Sequence, residues 1–121
     1  MKGLPPTLRI PFVRRCTVEL AGESMEALLL DLSLRGAYVA AGKLPATGDS
    51  VVLRFHVPGN VLELRVPGLV AWVQSEKTHP VHGLPCGFGV RFTRLEVEDV
   101  RRIARTIQSY CQSNPIYRQY L

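Results

Sequence analysis

The feature that most constrains the fold of this chain is an alternation of apolar and polar residues with a period of two, from about residue 12 to residue 92. Near its start, Cys16, Val18 and Leu20 alternate with charged or polar neighbours. Because successive side chains of a strand point to opposite faces of a sheet, this pattern predicts a half-buried β-strand. Similar runs recur up to Phe92, so the chain is predicted to be mainly β.

Turn residues divide the alternating region into short strands. A Pro-Gly-Asn turn at 58–60 separates the runs 51–57 and 62–66, which predicts an antiparallel hairpin. Pro-Gly at 67–68 then interrupts the pattern, which predicts a bend or bulge at that point. About six short antiparallel strands without crossover helices favour a small closed β-barrel, because closure removes exposed strand edges.

After the last strand the apolar residues change to spacings of three and four, which predicts an amphipathic helix over about 95–112. Thr93 and Glu96 have the spacing of a capping box at its start. We therefore predict a single domain over 1–121, with a six-stranded antiparallel barrel over about 9–92, the helix, and a tail over 113–121.

Charge and cysteine content restrict the classes of protein that fit this chain. The 15 Lys and Arg outnumber the 10 Asp and Glu, and the net charge of +5 favours an anionic partner. Three widely spaced cysteines imply no disulfide framework. The N-terminus lacks the apolar core of a signal peptide, and no apolar run is long enough to span a membrane. We therefore expect a cytoplasmic protein without a membrane span.

Catalytic and metal-site motifs are weak. The sequence has no GxSxG elbow, Walker loop or HExxH motif, and neither Ser33 nor Cys16 has a partner that marks it as a nucleophile, so the chain is predicted not to be an enzyme. His79, His82 and Cys86 could be considered as metal ligands, but they have no evident fourth ligand and no paired CxxC spacing. No metal and no cofactor are expected.

An oligonucleotide-binding barrel is a further alternative, because the chain is basic and its predicted architecture is small and β-rich. Single-stranded nucleic acid requires exposed aromatic side chains on which bases stack. Most aromatic residues here fall on strand faces predicted to be buried, namely Phe12, Phe55, Trp72, Phe88 and Phe92. Neither DNA nor RNA is therefore expected as a partner.

Three segments in a fixed order carry a resemblance to a known family. The basic stretch 9–15 (Arg-Ile-Pro-Phe-Val-Arg-Arg) precedes Asp-Leu-Ser-Leu-Arg-Gly at 31–36, and Gly-Phe-Gly-Val-Arg-Phe at 87–92 precedes the predicted helix. Over roughly 7–111 the chain closely resembles the PilZ domain, a bacterial receptor for cyclic di-GMP. That family carries an RxxxR loop, a [D/N]xSxxG motif, a GxGVxF-like strand and a C-terminal helix. The resemblance implies a non-enzymatic nucleotide-binding barrel.

The resemblance also implies a binding site. Arg9, Arg14, Asp31, Ser33 and Gly36 are the residues expected to bind cyclic di-GMP. A guanidinium can donate paired hydrogen bonds to guanine or phosphate, and a carboxylate can accept from guanine N–H groups. The structural alternative is a turn between two strands that Ser33 stabilises and for whose backbone angles Gly36 is required.

The first family motif is incomplete. When Arg9 is aligned with the second arginine of RxxxR, Pro5 occupies the place of the first. Arg14 and Arg15 add charge nearby, but strand alternation would direct them to opposite faces. Lys2 could supply charge only if the N-terminus folds back.

Two functions therefore remain open for the sequence. The first is a receptor in which cyclic di-GMP connects the N-terminal loop to the turn at 31–36. The second is a degenerate adaptor that binds no nucleotide and acts only through protein contacts. Either would signal through a separate protein effector, and the resemblance implies motility, pilus or chemotaxis systems. Arg35, the helix arginines and the tail tyrosines are possible contact surfaces, and the oligomeric state is open.

Overall fold

The computed structural model describes residues 3–75 and 84–120. Lys2, considered as a source of charge, and His79 and His82, considered as metal ligands, therefore lie outside the described residues. The elements are β1 (Ile10–Leu20), β2 (Glu23–Leu32), β3 (Gly36–Ala40), β4 (Ser50–Phe55), β5 (Leu64–Gln74), β6 (Gly87–Phe92), the helix α1 (Val97–Ser113) and a short 3-10 helix (Pro115–Tyr120).

The six strands form a closed antiparallel barrel in the order β1-β2-β3-β6-β5-β4, and β4 pairs with β1 to complete it. The predicted fold is thus confirmed, and the hairpin predicted around residues 58–60 is the β4–β5 pair. Alternate residues of the strands point inward and fill the barrel with apolar side chains, among them Val18, Leu29, Val39, Leu53, Val66 and Phe88.

The helix α1 joins the same core through Ile103, Ile107 and Cys111, which recur every four residues and are fully buried. Its N-cap is Glu96, and no side chain bonds the cap, so the predicted capping box is wrong. The backbone N–H of Thr93 instead donates to the Pro67 carbonyl at 3.0 Å, which ties this residue to β5. The 3-10 helix packs against α1 through an edge-to-face contact of Tyr117 with Tyr110.

Three strands carry a register shift, in each case with one extra residue relative to the neighbouring strand. The shifts lie between Pro11 and Arg14 in β1, between Leu29 and Asp31 in β2, and between Val70 and Trp72 in β5. The predicted break at 67–68 is wrong, because those residues pair with β4 in regular register. The disturbance in β5 comes instead at residue 71.

The bulges of β2 and β5 change which face a residue occupies, since one extra residue reverses the alternation. Val70 is buried, so uninterrupted alternation would also bury Trp72. The bulge turns Trp72 outward, where 39% of it is exposed. The predicted burial of Trp72 is therefore wrong, whereas Phe12, Phe55 and Phe88 are buried as expected.

No helix in the described ranges has the length and apolar character that crossing a membrane requires.

Candidate functional site

The candidate site is on the outer face of the barrel, where four neighbouring strands bring one residue each into line. Asp31 of β2 pairs with Tyr38 of β3, Tyr38 pairs with Gly89 of β6, and Gly89 pairs with Trp72 of β5. We call these four residues the cross-strand row. Two of them, Asp31 and Trp72, come directly after a bulge, so the irregular register is what places them on this face.

The aromatic end of the row is tightly packed. Trp72 and Tyr38 stack with ring centroids 5.1 Å apart and planes inclined by 28°. Gly89 lies between them, and a Cβ at this position would overlap the indole of Trp72. The Tyr38 hydroxyl donates to the Pro85 carbonyl at 2.6 Å. Burial, with smaller contributions from Cys86 and Asp31, raises the pKa of Tyr38, so it remains a neutral donor.

The polar end of the row is an ion pair between two residues that the sequence singled out. Arg9 donates from Nη1 to Oδ1 of Asp31 at 2.7 Å, and the backbone N–H of Tyr38 donates to the same oxygen at 2.9 Å. Among the described residues, none donates to the second oxygen, Oδ2, and the Asp31 side chain is 27% exposed. Asp31 is thus fixed in orientation through Oδ1, while Oδ2 receives no hydrogen bond from the described residues.

Ser33 and Gly36 form the turn that follows Asp31. Ser33 is buried, and its hydroxyl accepts from the N–H groups of Arg35 and Gly36 and donates to the Gly36 carbonyl, at 3.1–3.2 Å. Gly36 does not have a positive φ, so the expected need for special backbone angles is wrong. Its hydrogen atom is required because a Cβ would overlap the Val90 carbonyl oxygen on β6.

A cavity of about 250 Å³ connects the turn with the aromatic end of the row. Three of the residues that the resemblance implies for binding, Arg9, Ser33 and Gly36, contribute to its lining, whereas Asp31 does not. Trp72 and Arg91 line it as well. Arg35, named from the sequence only as a possible contact surface, also lines it. Sequence reasoning missed Trp72 and Arg91 because only strand pairing shows that they neighbour the turn.

The arginines of this cavity differ in their partners. Arg9 is paired with Asp31, whereas neither Arg35 nor Arg91 forms an ion pair with any described residue. Both are exposed. The cavity therefore offers two guanidinium groups that can meet an anion without first losing a protein carboxylate.

Arg14 is not brought to this cavity. It pairs with Leu29 beyond the bulge of β1, and its guanidinium lies 5.1 Å from the centre of the Phe12 ring. Arg14 and Arg15 line different hollows, as their opposite directions along the strand predict. The structure thus brings together Arg9, Asp31, Ser33 and Gly36 and leaves Arg14 elsewhere.

Within the described ranges, no three His, Cys, Asp or Glu side chains are close enough to hold a metal ion. Cys16 and Cys111 are buried, and burial raises the pKa of both thiols, that of Cys16 to about 11. These thiols are therefore protonated at neutral pH and are poor nucleophiles.

Comparison with known proteins identifies a matching family model and several similar solved structures. The family model described as PilZ domain matches residues 7–109. The chain is similar to PlzA of Borreliella burgdorferi, solved in complex with c-di-GMP, with a TM-score of 0.57 and 16% identity over 79% of this chain and 38% of PlzA. It is also similar to the PilZ domain of CeSA from a cellulose-synthesizing bacterium, with a TM-score of 0.58 and 18% identity over 86% of this chain and 98% of that domain.

At these identities the two neighbours establish the shared fold, and this chain spans well under half of PlzA. No curated protein matches the chain.

Proposed function

This chain belongs to the PilZ domain family, and from that premise we propose that it is a cytoplasmic, non-enzymatic receptor that binds cyclic di-GMP at the cross-strand row and signals through a separate protein. The observation that carries the proposal is a cavity lined by an exposed indole and two arginines without ion pairs among the described residues, beside the oriented carboxylate that is paired with the lining residue Arg9.

Guanine matches these groups chemically. Its N–H donors require an acceptor, which Oδ2 of Asp31 can provide while Oδ1 stays bonded to the Tyr38 backbone. Its acceptors O6 and N7 suit the paired donors of a guanidinium. Its flat face can stack on Trp72, and base–aromatic stacking typically contributes about 1–3 kcal/mol per base.

The size of the cavity limits what it can enclose. Pockets that bury a whole drug-sized ligand typically have volumes of about 300–1,000 Å³. The present cavity, at about 250 Å³, is smaller. We therefore propose that it takes one guanine base, while the phosphates and the second nucleotide lie over Arg9, Arg35 and Arg91.

The incomplete RxxxR loop is the main difference from the family pattern. Pro5 cannot replace a guanidinium, but Arg35 and Arg91 bring two positive charges to the same cavity from the turn and from β6. We propose that they provide the contacts that the missing first arginine would make. Arg14, which faces Phe12 in another hollow, has no part in this site.

Ser33 and Gly36 have a supporting role in this proposal. All hydrogen-bonding capacity of the Ser33 hydroxyl is used within the turn. Gly36 allows β3 to approach β6. Both residues thus hold Arg35 beside Arg91 rather than bind the ligand through their side chains.

The second candidate is an adaptor that binds no nucleotide. The 2.7 Å ion pair favours it, because Arg9 and Asp31 satisfy each other and a ligand must compete with that contact. Pro5 at the first arginine position favours it as well.

A titration of Trp72 fluorescence with cyclic di-GMP tests the proposal directly. The chain has one tryptophan, so its emission reports this cavity alone. We expect saturable quenching, matching heats by calorimetry, and no response to GTP at equal concentration. Asp31→Ala should weaken binding by about 2–5 kcal/mol, since it removes a charged contact.

Glu26→Ala is the matched control, because Glu26 is an exposed carboxylate on the same strand with no ion pair among the described residues. It should leave the affinity unchanged. Absence of quenching and of heat up to high micromolar ligand would refute the receptor and support the adaptor.

A further inference from the structure

A second hollow, independent of the nucleotide cavity, lies between the barrel and α1. It encloses about 480 Å³, and no residue lines both. The barrel side is formed by Phe12 and Pro58, among others, and the helix side by Arg105 and Tyr110. We call it the helix groove. Its walls combine apolar and aromatic surface with guanidinium groups.

The two arginines of the helix groove, Arg14 and Arg105, have no ion-pair partner among residues 3–75 and 84–120. Neighbouring arginines of α1 differ. Arg101 pairs with Glu98 at 2.9 Å and Arg102 with Asp99 at 3.1 Å. Positive charge is therefore neutralised near the start of α1 and left uncompensated where the helix borders the groove.

Apolar side chains near the groove are exposed to an unusual degree. Val13, the residue before Arg14, is 63% exposed, because it follows the buried Phe12 and so points to the outer face of β1. Val61 is 91% and Leu62 70% exposed, in the loop that follows the lining residues Pro58 and Gly59. Exposed apolar residues beside uncompensated arginines are typical of protein-binding surfaces.

The charges of the chain decide against a second copy as the occupant. Its net charge is +5, and most of its described carboxylates already form ion pairs, among them Glu19, Asp31, Glu63, Glu98 and Asp99. A second copy would thus bring positive charge to a positive groove. Charge complementarity requires an occupant with free carboxylates.

We infer that the helix groove is the docking site for an acidic segment of a partner protein, in which an apolar anchor residue contacts Phe12 and Tyr110 while flanking carboxylates pair with Arg14 and Arg105. This inference rests on the proposed signalling through a separate protein but not on nucleotide binding. It concerns a surface that shares no residue with the nucleotide cavity, so the two can fail separately.

A phage-displayed library of short random peptides, selected on the intact chain without nucleotide, tests the inference. We expect enriched peptides to carry Asp or Glu around a Leu, Phe or Trp. A synthetic peptide of the enriched sequence should bind saturably in a fluorescence-anisotropy titration. Enrichment of basic peptides, or no enrichment at all, would overturn the inference.

Matched arginine variants then separate docking from general charge attraction. The double variant Arg14→Ala with Arg105→Ala should bind the peptide about tenfold more weakly, since two exposed ion pairs are lost. Arg35→Ala with Arg91→Ala removes the same charge at the other cavity and should leave peptide affinity unchanged. Equal loss in both double variants would refute a specific groove.

Two further outcomes bear on the occupant. Binding should be abolished when the acidic residues of the peptide are replaced by glutamine, and also when its apolar anchor is replaced by serine. A peptide that still binds after either replacement would contradict the proposed chemistry. If the free protein sediments as a dimer, and the double variant Arg14→Ala with Arg105→Ala sediments as a monomer, the groove would be the docking site for a second copy instead. Unchanged thermal melting of the double variants establishes that they are folded.

Discussion

Two outer faces of the same barrel use arginine in opposite ways. Across β1, β4 and β5, Arg54 contacts Glu19 and Glu63 at 3.0 Å, and Arg65 contacts Glu19 at 3.1 Å. At the turn before β3 and in β6, Arg35 and Arg91 form no ion pair with any described residue. The first face is a closed network of charges, whereas the second leaves its charges available.

The difference follows from strand register. On the first face, β4 pairs with β1 and β5 without a shift, so regular pairing sets Glu19, Arg54 and Arg65 side by side. The hydrogen bond from Arg54 lowers the pKa of Glu19, and the same bond raises that of Arg54. On the second face, bulges in β2 and β5 place Asp31 and Trp72 at the surface, and a cavity lies beside Trp72 and the Asp31 partner Arg9.

The largest effect on stability is expected from Gly36→Ala, which disturbs the pairing of β3 with β6 on the second face. The added Cβ would overlap the Val90 carbonyl oxygen, and backbone cannot move aside as a flexible side chain does. We expect the free energy of unfolding to fall by about 3 kcal/mol, a typical cost for strain in a well-packed region. Urea unfolding followed by circular dichroism measures it.

Gly42→Ala is the control for that change. Gly42 has open space around the position of a Cβ and no positive φ, so alanine should be tolerated or slightly stabilising. A Gly36→Ala protein as stable as Gly42→Ala would contradict the close approach of β3 to β6.

A smaller effect is expected from Trp72→Ala. The substitution removes the stack on Tyr38, and aromatic pairs contribute about 0.5–1.5 kcal/mol beyond burial, so stability should fall by about 1–2 kcal/mol. Under the proposed function, the substitution should also weaken the binding of cyclic di-GMP, which calorimetry measures. Trp72→Phe retains an aromatic ring and should therefore retain part of the stability and part of the cyclic di-GMP affinity. If Trp72→Phe loses as much stability and affinity as Trp72→Ala, the result would argue against stacking.

The smallest effect is expected from comparing Arg54→Ala with Arg35→Ala. Arg54→Ala should lower stability modestly and less so in high salt, because it removes two ion pairs of a partly exposed network. Arg35→Ala should change stability by less than about 0.5 kcal/mol, as it breaks no ion pair. Thermal melts at low and high salt distinguish them, and equal salt dependence would remove the contrast between the faces.

Acid should remove that contrast as well. The pKa of Glu19 in the folded protein lies below its ordinary value of 4.5, so its contribution to stability is present above that pH and is lost as the pH falls through the lowered pKa. The difference between the wild-type protein and Arg54→Ala should therefore shrink below pH 4.5. A difference that persists in strong acid would show that the loss is due to packing.

Much of the fold could be predicted from the sequence because alternation and helical spacing are local properties. Val18, Leu53 and Val66 point inward as their alternation predicts, and Ile103 and Ile107 are buried as their helical spacing predicts. The errors lie where a distant strand decides the outcome. Thr93 bonds to Pro67 rather than capping α1, and β5 bulges at residue 71 rather than at 67–68.

The candidate site divides in the same way. The sequence by itself determined that Arg9, Asp31, Ser33 and Gly36 lie in motifs that follow one another in the order typical of the PilZ family. It also determined that these motifs lie on a β-barrel followed by a helix. Only the tertiary structure decided that Trp72 and Arg91 complete the cavity and that Arg14 faces a separate groove. The physical reason is that a bulge shifts the alternation by one residue, and its position depends on pairing between strands, which local sequence does not specify.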